Sequence, residues 1–396
     1  MTTTANFATA REVATALSSL GFQPSGETIR TISRNCREQF LEHLSKCITG
    51  QDTEGHSKKA IGTLLRCLSP DAVNRLKQIT PSVTPDIIVP VVEKALGRPL
   101  LGFTHPLNSY INRVYELMAA DRERIIVKFY RPGRWSKQAL QDEHDFVIDC
   151  SKDEIPVVAP LPLKNGKTVG EAEGIFFAVY PKRLGRVWEQ TCEDDWKRLG
   201  RVVARAHVVG SRRAAKHRLQ LHPEETTASD IAQLLDGGHI PSRYQKPFAD
   251  ISSQLLDHIM PMFDDAEYIR IHGDCHSKNI LHRPDEGLLL IDFDDMVMGP
   301  PVQDLWMLLP GHVLESGAEL ELMIKGYREF RDFEESSIRL IEPLRSMRML
   351  YFLDWISRQR QDPNFNVNFP NWSNDSFWAD QVRELNQQFV NVMQSQ

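Results

Sequence analysis

Three polar side chains surround one short predicted hairpin in the second half of the chain. Residues 279–291 predict two apolar strands joined by a turn. Asp274 precedes this hairpin, Asn279 begins its first strand, and Asp292 directly follows its second strand. A buried carboxylate without a partner is costly, so an acid at the end of an apolar strand is expected to bind something.

This set of side chains is the one that phosphoryl transfer needs. One carboxylate accepts the proton of an incoming hydroxyl, while an amide and a second carboxylate hold Mg²⁺ against nucleotide phosphates. We predict that Asp274 is the catalytic base or orients the acceptor hydroxyl, and that Asn279 and Asp292 are Mg²⁺ ligands. Asp292 is also predicted to be catalytic; an acyl phosphate on it stays open, although direct in-line transfer is simpler. Each residue alone is an ordinary turn or cap former, but their spacing, with His272 just upstream, favours catalysis.

A lysine inside an apolar strand is the next informative residue. Lys128 lies in the predicted strand 124–130, and lysine is rarely buried unless it is paired. The expected partner is Glu143, on a helix that starts after Ser136 and shares its apolar face. A strand lysine held by a helix glutamate and directed at nucleotide phosphates is the arrangement of kinases. The alternative is an edge-strand lysine that reaches solvent.

Several segments resemble a known family. The pattern His272-x-Asp274-x4-Asn279, followed by 291–294, resembles the protein-kinase-like superfamily, nearer to its aminoglycoside and choline kinases than to eukaryotic protein kinases. Five longer segments resemble the bacterial stress response kinase A family of cytoplasmic Ser/Thr protein kinases: LNSYINRVYEL, IVKFYRPGRW, FFAVYP, HGDCHSKNIL and GPPVQDLWMLLPG. The resemblance covers roughly Thr84 to Trp378.

The resemblance implies a fold, a nucleotide and a further contact. The expected fold is α+β, a two-lobed protein-kinase-like fold of the aminoglycoside phosphotransferase type, with ATP rather than GTP as the co-substrate. The chain lacks GxGxxG in its first hairpin, so 106–112 must bind phosphate through backbone N–H groups and Ser109, whose position touches ATP in that family. Gly273 stands where eukaryotic protein kinases carry Arg, and the segment from Asp292 to Asp304 is short. We therefore expect a constitutively assembled site, without activation by loop phosphorylation.

The chain divides into three predicted parts. Residues 1–83 are an all-α appendage, 84–180 the nucleotide-binding lobe and 181–396 the catalytic lobe. The predicted elements are a helix opened by Thr84-Pro85, strands at 108–117, 124–130 and 174–181, and helices at 194–210, 241–262 and 338–360. A looped aromatic stretch follows, and its side chains are expected to be core or the wall of a substrate cleft rather than a ligand cage: Phe365, Phe369, Trp372 and Phe377.

Four further polar positions carry expectations about support of the site. Asp304 is predicted to brace the backbone of the catalytic loop, and His272 to support that loop by packing and hydrogen bonding. His207 is predicted to be a core histidine with satisfied hydrogen bonds. A basic cluster is interpreted as a solvated face; its members are Arg212, Arg213, Lys216 and Arg218.

Composition excludes several classes of protein. The chain has 396 residues and a net charge of −6, which argues against a nucleic-acid binder. No apolar run approaches the ~20 residues that span a bilayer, and the start lacks the basic residues of a signal peptide. Six cysteines without CxxC spacing fit reduced thiols in the cytosol. We expect a cytoplasmic monomer that binds ATP and a protein substrate and touches neither membrane nor nucleic acid.

Two other functions stay open. The first is a small-molecule kinase that acts on an amino sugar, a choline-like alcohol or a homoserine-type hydroxyl, because the catalytic loop resembles that branch. The second is a nucleotide-binding scaffold without turnover. The full set of candidate residues argues against the scaffold, because a degenerate kinase usually lacks one of them.

Overall fold

The structure is a computed structural model, and it describes residues 85–396 apart from 108, 110, 285, 361–364, 373 and 396. The predicted appendage, 1–83, lies outside the described residues. The described part begins with a helix and an antiparallel sheet and continues into a largely helical region, as the α+β prediction requires.

Five antiparallel strands form the sheet: β1 (Leu100–Leu107), β2 (Arg113–Ala119), β3 (Arg124–Phe129), β4 (Gly170–Ala172) and β5 (Ile175–Pro181). Their order across the sheet is β1-β2-β3-β5-β4. Helix α1 (Pro85–Leu96) runs through Pro90 and buries Ile88 and Val92 against the sheet. The predicted strand 108–117 is wrong at its start, because β2 begins at Arg113, and β1 and β4 were not predicted.

Helix α2 (Lys137–Lys152) lies between the sheet and the helical region. Its predicted start is confirmed, since the Ser136 hydroxyl caps it by accepting from the Ala139 N–H at 3.1 Å. Leu140 and Val147 are buried on one face together with Glu143. The helix therefore presents a carboxylate to the interior, as its pattern predicts.

Two long helices pack tightly in the helical region, α3 (Glu193–Gly210) and α7 (Gly317–Tyr327). A Cβ at Gly200 would lie 1.9 Å from the Met323 carbonyl oxygen, and one at Gly326 would lie 2.0 Å from that of Lys197. Only glycine allows these backbones to come so close. Around them lie α4 (Thr227–Asp236), α5 (Ser242–Ile259), α6 (Val302–Trp306), α8 (Ile341–Arg358), α9 (Phe365–Asn368) and α10 (Asp375–Gln394).

The predicted hairpin is confirmed, and it separates two loops that lie beside each other. Its strands are β8 (Ile280–Arg283) and β9 (Gly287–Leu290), with the short β6 (Arg186–Val187) added at one edge. Strand β7 (Ile269–Ile271) pairs with β10 (Val297–Gly299). We name 272–279, between β7 and β8, the catalytic loop, and 291–296, between β9 and β10, the metal loop, after the roles predicted for Asp274 and Asp292.

The C-terminal aromatic stretch belongs to the core. Phe365, Trp372 and Trp378 are buried, while Phe369 and Phe377 are partly buried against the same cluster, as predicted. Cys150, Cys192 and Cys275 are free thiols. Within the described ranges, no helix combines the length and the apolar character needed to cross a membrane.

Candidate active site

A cleft of about 560 Å³ lies between the sheet and the helical region. Its lining contains five of the six predicted site residues: Ser109, Lys128, Glu143, Asp274 and Asp292. The sixth, Asn279, is buried behind the lining and donates its amide hydrogen to the Asp274 carbonyl oxygen at 2.9 Å. The structure therefore brings the whole predicted set together.

Asp274 is held by two neighbours. Arg348 Nη2 donates to Asp274 Oδ1 at 2.6 Å, and Asn279 Nδ2 lies 3.4 Å from Oδ2. Burial raises the pKa of Asp274, while the nearby Arg348 charge opposes that rise. No pattern in the sequence pointed to Arg348, which lies 74 positions away on α8.

Asp304 braces the catalytic loop, as predicted. Its carboxylate accepts the backbone N–H groups of His272 at 2.7 Å and Gly273 at 2.9 Å. It also contacts His207 Nε2 at 3.0 Å, and the other nitrogen of that buried ring contacts Tyr327 Oη at 3.0 Å, so His207 is a satisfied core histidine. Burial alone would raise the pKa of Asp304, but these hydrogen bonds hold it below its usual value.

His272 links the two loops. Its Nε2 donates to the Ile291 carbonyl oxygen at 2.9 Å, and its ring packs on Phe293 with centroids 4.4 Å apart. Gly273 has a φ of +80°, and a Cβ there would lie 2.2 Å from the Asp295 carbonyl oxygen. The glycine that replaces the arginine of eukaryotic protein kinases is therefore required by close contact between the catalytic and metal loops.

The predicted ion pair between Lys128 and Glu143 is wrong. Lys128 Nζ instead contacts Asp292 Oδ1 at 2.8 Å and Asp294 Oδ1 at 2.7 Å. Burial alone would lower the pKa of Lys128, but the Asp294 and Asp292 carboxylates raise it well above its usual value. The Lys128 charge in turn holds the pKa of Asp292 below its usual value. Asp292 has a φ of 63°, a left-handed conformation that turns the chain at the end of β9.

Glu143 pairs with Arg218. The Arg218 Nη2–Glu143 Oε2 distance is 2.5 Å, and both side chains are almost fully buried. Arg218 also donates to the carbonyl oxygens of Ala139 at 2.8 Å and Asp294 at 2.7 Å, and its guanidinium lies 4.1 Å from the Trp135 ring centroid. The interpretation of Arg218 as part of a solvated face is therefore wrong, because this side chain joins α2 to the metal loop.

The other arginines of that cluster are exposed, and they face acids on α2 and at its C-terminal cap. Arg212 Nη1 donates to Asp153 at 2.9 Å, and Arg213 Nε donates to Asp149 at 2.9 Å. The His217 backbone N–H donates to Asp142 at 2.7 Å. Together with Arg218, these contacts form what we call the α2 clamp: segment 211–218 bound to the acidic side of α2.

The lip of the cleft on the sheet side is formed by the loop between β1 and β2. Ser109 is exposed there, and its Oγ accepts a long hydrogen bond, 3.4 Å, from the Asn112 N–H. The buried Asn112 donates through Nδ2 to Asp294, and its Oδ1 accepts the Arg131 N–H at 3.2 Å. Asp294 was not assigned a role from sequence, although it lies two residues after Asp292 in the same motif.

The oxygen donors at the two loops suit a small divalent cation. Asp292 is half exposed, 51% at its side chain, where it faces the cleft. Because Asn279 donates its amide hydrogens to Asp274, its carbonyl oxygen is the atom it can offer to a cation. Across the described part of the chain, no group of three or more His, Cys, Asp or Glu side chains could hold a metal. A cation bound at Asp292 and Asn279 would complete its shell with phosphate and water oxygens, as Mg²⁺ usually does.

Comparison with known proteins identifies relatives over most of this region. Residues 104–340 match the model of the phosphotransferase enzyme family. Stress response kinase A of Escherichia coli K12 is 40% identical over 278 residues, which is 70% of this chain and 84% of that protein. The serine/threonine protein kinase RdoA of Salmonella typhimurium LT2 shows the same identity and coverage.

Solved structures with low sequence identity share the fold. The amicoumacin kinase hAmiN, in complex with AMP-PNP, Ca²⁺ and Ami, aligns with a TM-score of 0.62 at 17% identity, over 76% of this chain and 93% of that one. Spectinomycin phosphotransferase, with ADP and spectinomycin bound, aligns with a TM-score of 0.58 at 12% identity, over 79% and 99%. The predicted kinase-like fold of the aminoglycoside phosphotransferase type is thereby confirmed.

Proposed function

Because this chain belongs to the stress response kinase A family of phosphotransferases, we propose that it transfers the γ-phosphoryl group of Mg-ATP to a serine or threonine hydroxyl of a protein. Kinase-type phosphoryl transfer follows from the family. The protein acceptor is the proposed step, and the name of one relative, a serine/threonine protein kinase, supports it. The relatives' names also support a role in a stress response, and we propose that the enzyme acts as a monomer in the cytoplasm.

In the proposed complex, each part of Mg-ATP would occupy a separate part of the cleft. Asp292 and Asn279 would hold Mg²⁺, which neutralises phosphate charge when bound. Lys128, which contacts Asp292, would bind the phosphates beside the cation. Ser109 would contact the phosphates from the β1–β2 loop at the edge of the cleft. Glu143 would hold this arrangement through Arg218.

The adenine would lie in the apolar part of the cleft. Val114, Ile126 and Leu281 line it, and β5 ends beside them at Tyr180 and Pro181. The backbone at this exit would hydrogen-bond the base.

One observation carries the proposed chemistry: Asp274 faces the same cleft as Lys128 and Asp292. The acceptor oxygen would attack the γ-phosphorus as the bond from phosphorus to the bridging oxygen breaks. ADP leaves with that electron pair, and the hydroxyl proton passes to Asp274. The carboxylate thus serves the acceptor side of the reaction, while Lys128 and Asp292 serve the nucleotide side.

The test is incubation of the purified protein with γ-labelled ATP and Mg²⁺, with and without a generic basic protein. We expect label on serine or threonine, lost in Asp274→Ala, while ATP affinity stays close to that of the wild type. Asp332→Ala, at an exposed acid of the helical region, is the control that keeps activity. Unchanged labelling by Asp274→Ala would remove Asp274 from its role, and absence of ATP binding would end the catalytic interpretation.

A small hydroxyl compound is the second candidate acceptor, and a second cavity favours it. This cavity, about 350 Å³, adjoins the cleft and shares with it Arg134, Asp295, Arg348 and Tyr351. Its volume is in the range of small-molecule sites, about 300–1,000 Å³. If this candidate is correct, no protein is labelled, and at least one compound in a panel of amino alcohols and aminoglycosides is phosphorylated.

A further inference from the structure

One arginine from outside the matched phosphotransferase segment reaches the proposed base. Arg348 lies beyond residues 104–340, on α8. Its neighbours Leu344 and Met347 are buried in the core, so the helix beneath it is fixed. Its guanidinium lies 5.4 Å from the Tyr351 ring centroid and donates to Asp274 Oδ1 at 2.6 Å.

The two oxygens of Asp274 differ in their surroundings. Oδ1 is engaged by Arg348 in a short, charge-assisted hydrogen bond. For Oδ2, the polar contacts found among the described residues are long: 3.4 Å to Asn279 Nδ2 and 3.5 Å to His276 Nε2. Oδ2 is therefore the oxygen with room for a further hydrogen bond.

We propose that Arg348 is a positioning residue that fixes the Asp274 carboxylate so that Oδ2 faces the acceptor hydroxyl. Torsion about the last bond of an aspartate is broad, so a carboxylate without such a partner samples many orientations. The inference rests on the proposed function, because it assumes that Asp274 meets an acceptor.

The position of Arg348 fits this role. It lines both the nucleotide cleft and the second cavity, so it lies at the boundary between them. Arg134, which lines the same boundary, is engaged by Asp295 and does not contact Asp274 in the described structure. Arg348 is thus the arginine at this boundary whose guanidinium is directed at the base.

The experiment measures kcat and the KM for ATP in Arg348→Ala and Arg348→Lys. We expect kcat of Arg348→Ala to fall by about 10- to 100-fold, as for other losses of alignment. The KM for ATP should change by less than about twofold, because Arg348 contacts Asp274, which serves the acceptor side of the reaction. Arg348→Lys should be intermediate, since an ammonium offers a charge without the planar fork.

Rescue distinguishes positioning from general support of the fold. Arg348 is 32% exposed at its side chain, so added guanidinium can reach the space left by Arg348→Ala. Millimolar guanidinium chloride should restore part of kcat, and sodium chloride at the same concentration should not. Arg339→Ala, at an exposed arginine just before α8, should keep the kcat of the wild type.

Two results would overturn the proposal. One is a kcat of Arg348→Ala equal to that of the wild type. The other is a reduced kcat that guanidinium does not restore, in a variant whose melting temperature and ATP affinity equal those of the wild type. If Arg348→Ala does not fold, a kcat of Arg348→Lys equal to that of the wild type would also overturn the proposal. The series is repeated on slow ATP hydrolysis, in which water replaces the acceptor. If the acceptor is not a protein, the proposed function is overturned, but the hydrolysis rates of the wild type and the Arg348 variants can still be compared.

Discussion

Replacing Arg218 by methionine is the most direct test of how α2 is held in this protein. The substitution removes a buried cation that contacts Glu143 at 2.5 Å and two carbonyl oxygens at 2.7 and 2.8 Å. Glu143, 2% exposed, would then be a buried acid without its partner. Above about pH 8, where Glu143 is ionised in the folded protein, breaking a buried ion pair in this way costs about 3–5 kcal/mol. For a chain of this size, that loss lowers the melting temperature by about 4–6 °C.

The loss should depend on pH in a definite direction. Burial and the Asp294 carboxylate raise the pKa of Glu143 from 4.5 to about 8. Between these values, the folded state retains a proton that the unfolded state has released. Stability from this group is therefore complete below pH 4.5 and is lost as pH rises through about 8. Without Arg218, deprotonation of folded Glu143 is still less favourable, so Arg218→Met should be more destabilising at pH 9 than at pH 6.

The assay is denaturant unfolding of the wild type, Arg218→Met, Glu143→Gln and the double mutant at both pH values. A neutral amide needs no counter-charge, so Glu143→Gln should recover about 2 kcal/mol of the loss in Arg218→Met. Arg212→Met is the matched control, because its partner Asp153 lies at the C-terminal end of the same helix at the surface and such pairs contribute about 0–1 kcal/mol. An unfolding free energy of Arg218→Met within about 1 kcal/mol of the wild type would refute the assigned pair.

Three further changes have expected outcomes. Lys128→Ala should weaken ATP binding and reduce transfer by about 10- to 100-fold, measured by nucleotide titration and labelled transfer; a fully active variant would contradict the contact with Asp292. Gly273→Ala should lose about 2–4 kcal/mol in denaturant unfolding, because its Cβ would meet the Asp295 carbonyl oxygen at 2.2 Å, whereas Gly102→Ala, with open space around it, should not. Asp304→Asn should lose about 2–3 kcal/mol at pH 7. Since folding lowers the pKa of Asp304, that difference should shrink as pH falls through the folded value, and a pH-independent difference would exclude this origin.

The parts of the site that are close in sequence were predictable. The hairpin between the catalytic and metal loops follows from two apolar runs around a turn, and it fixes where Asp274 and Asp292 lie. The bracing role of Asp304 also followed, because a short helix after the metal loop returns beside the catalytic loop. These relations depend on local pattern and short connections, which a single sequence contains.

The contacts that were missed join distant segments. Arg218 lies in an irregular stretch with no periodicity, so its burial under Trp135 has no signal in the sequence. The site offers Lys128 three carboxylates, those of Glu143 on α2 and of Asp292 and Asp294 on the metal loop. Which of them contacts Lys128 depends on the left-handed turn at Asp292. Strand β1 was missed because it is an edge strand with a mostly exposed pattern that contains glycine and proline.

The α2 clamp has a mechanical consequence. Helix α2 follows β3 in sequence, yet its acids and the acid that caps its C-terminal end are bound by Arg212, Arg213 and Arg218, which come after α3. The helix is thereby tied to the larger half of the molecule, and we expect it to stay there as a rigid body when nucleotide enters. The hinge of any closing motion would then pass between the sheet and α2, so that five strands and α1 tilt as a lid over a base that does not move.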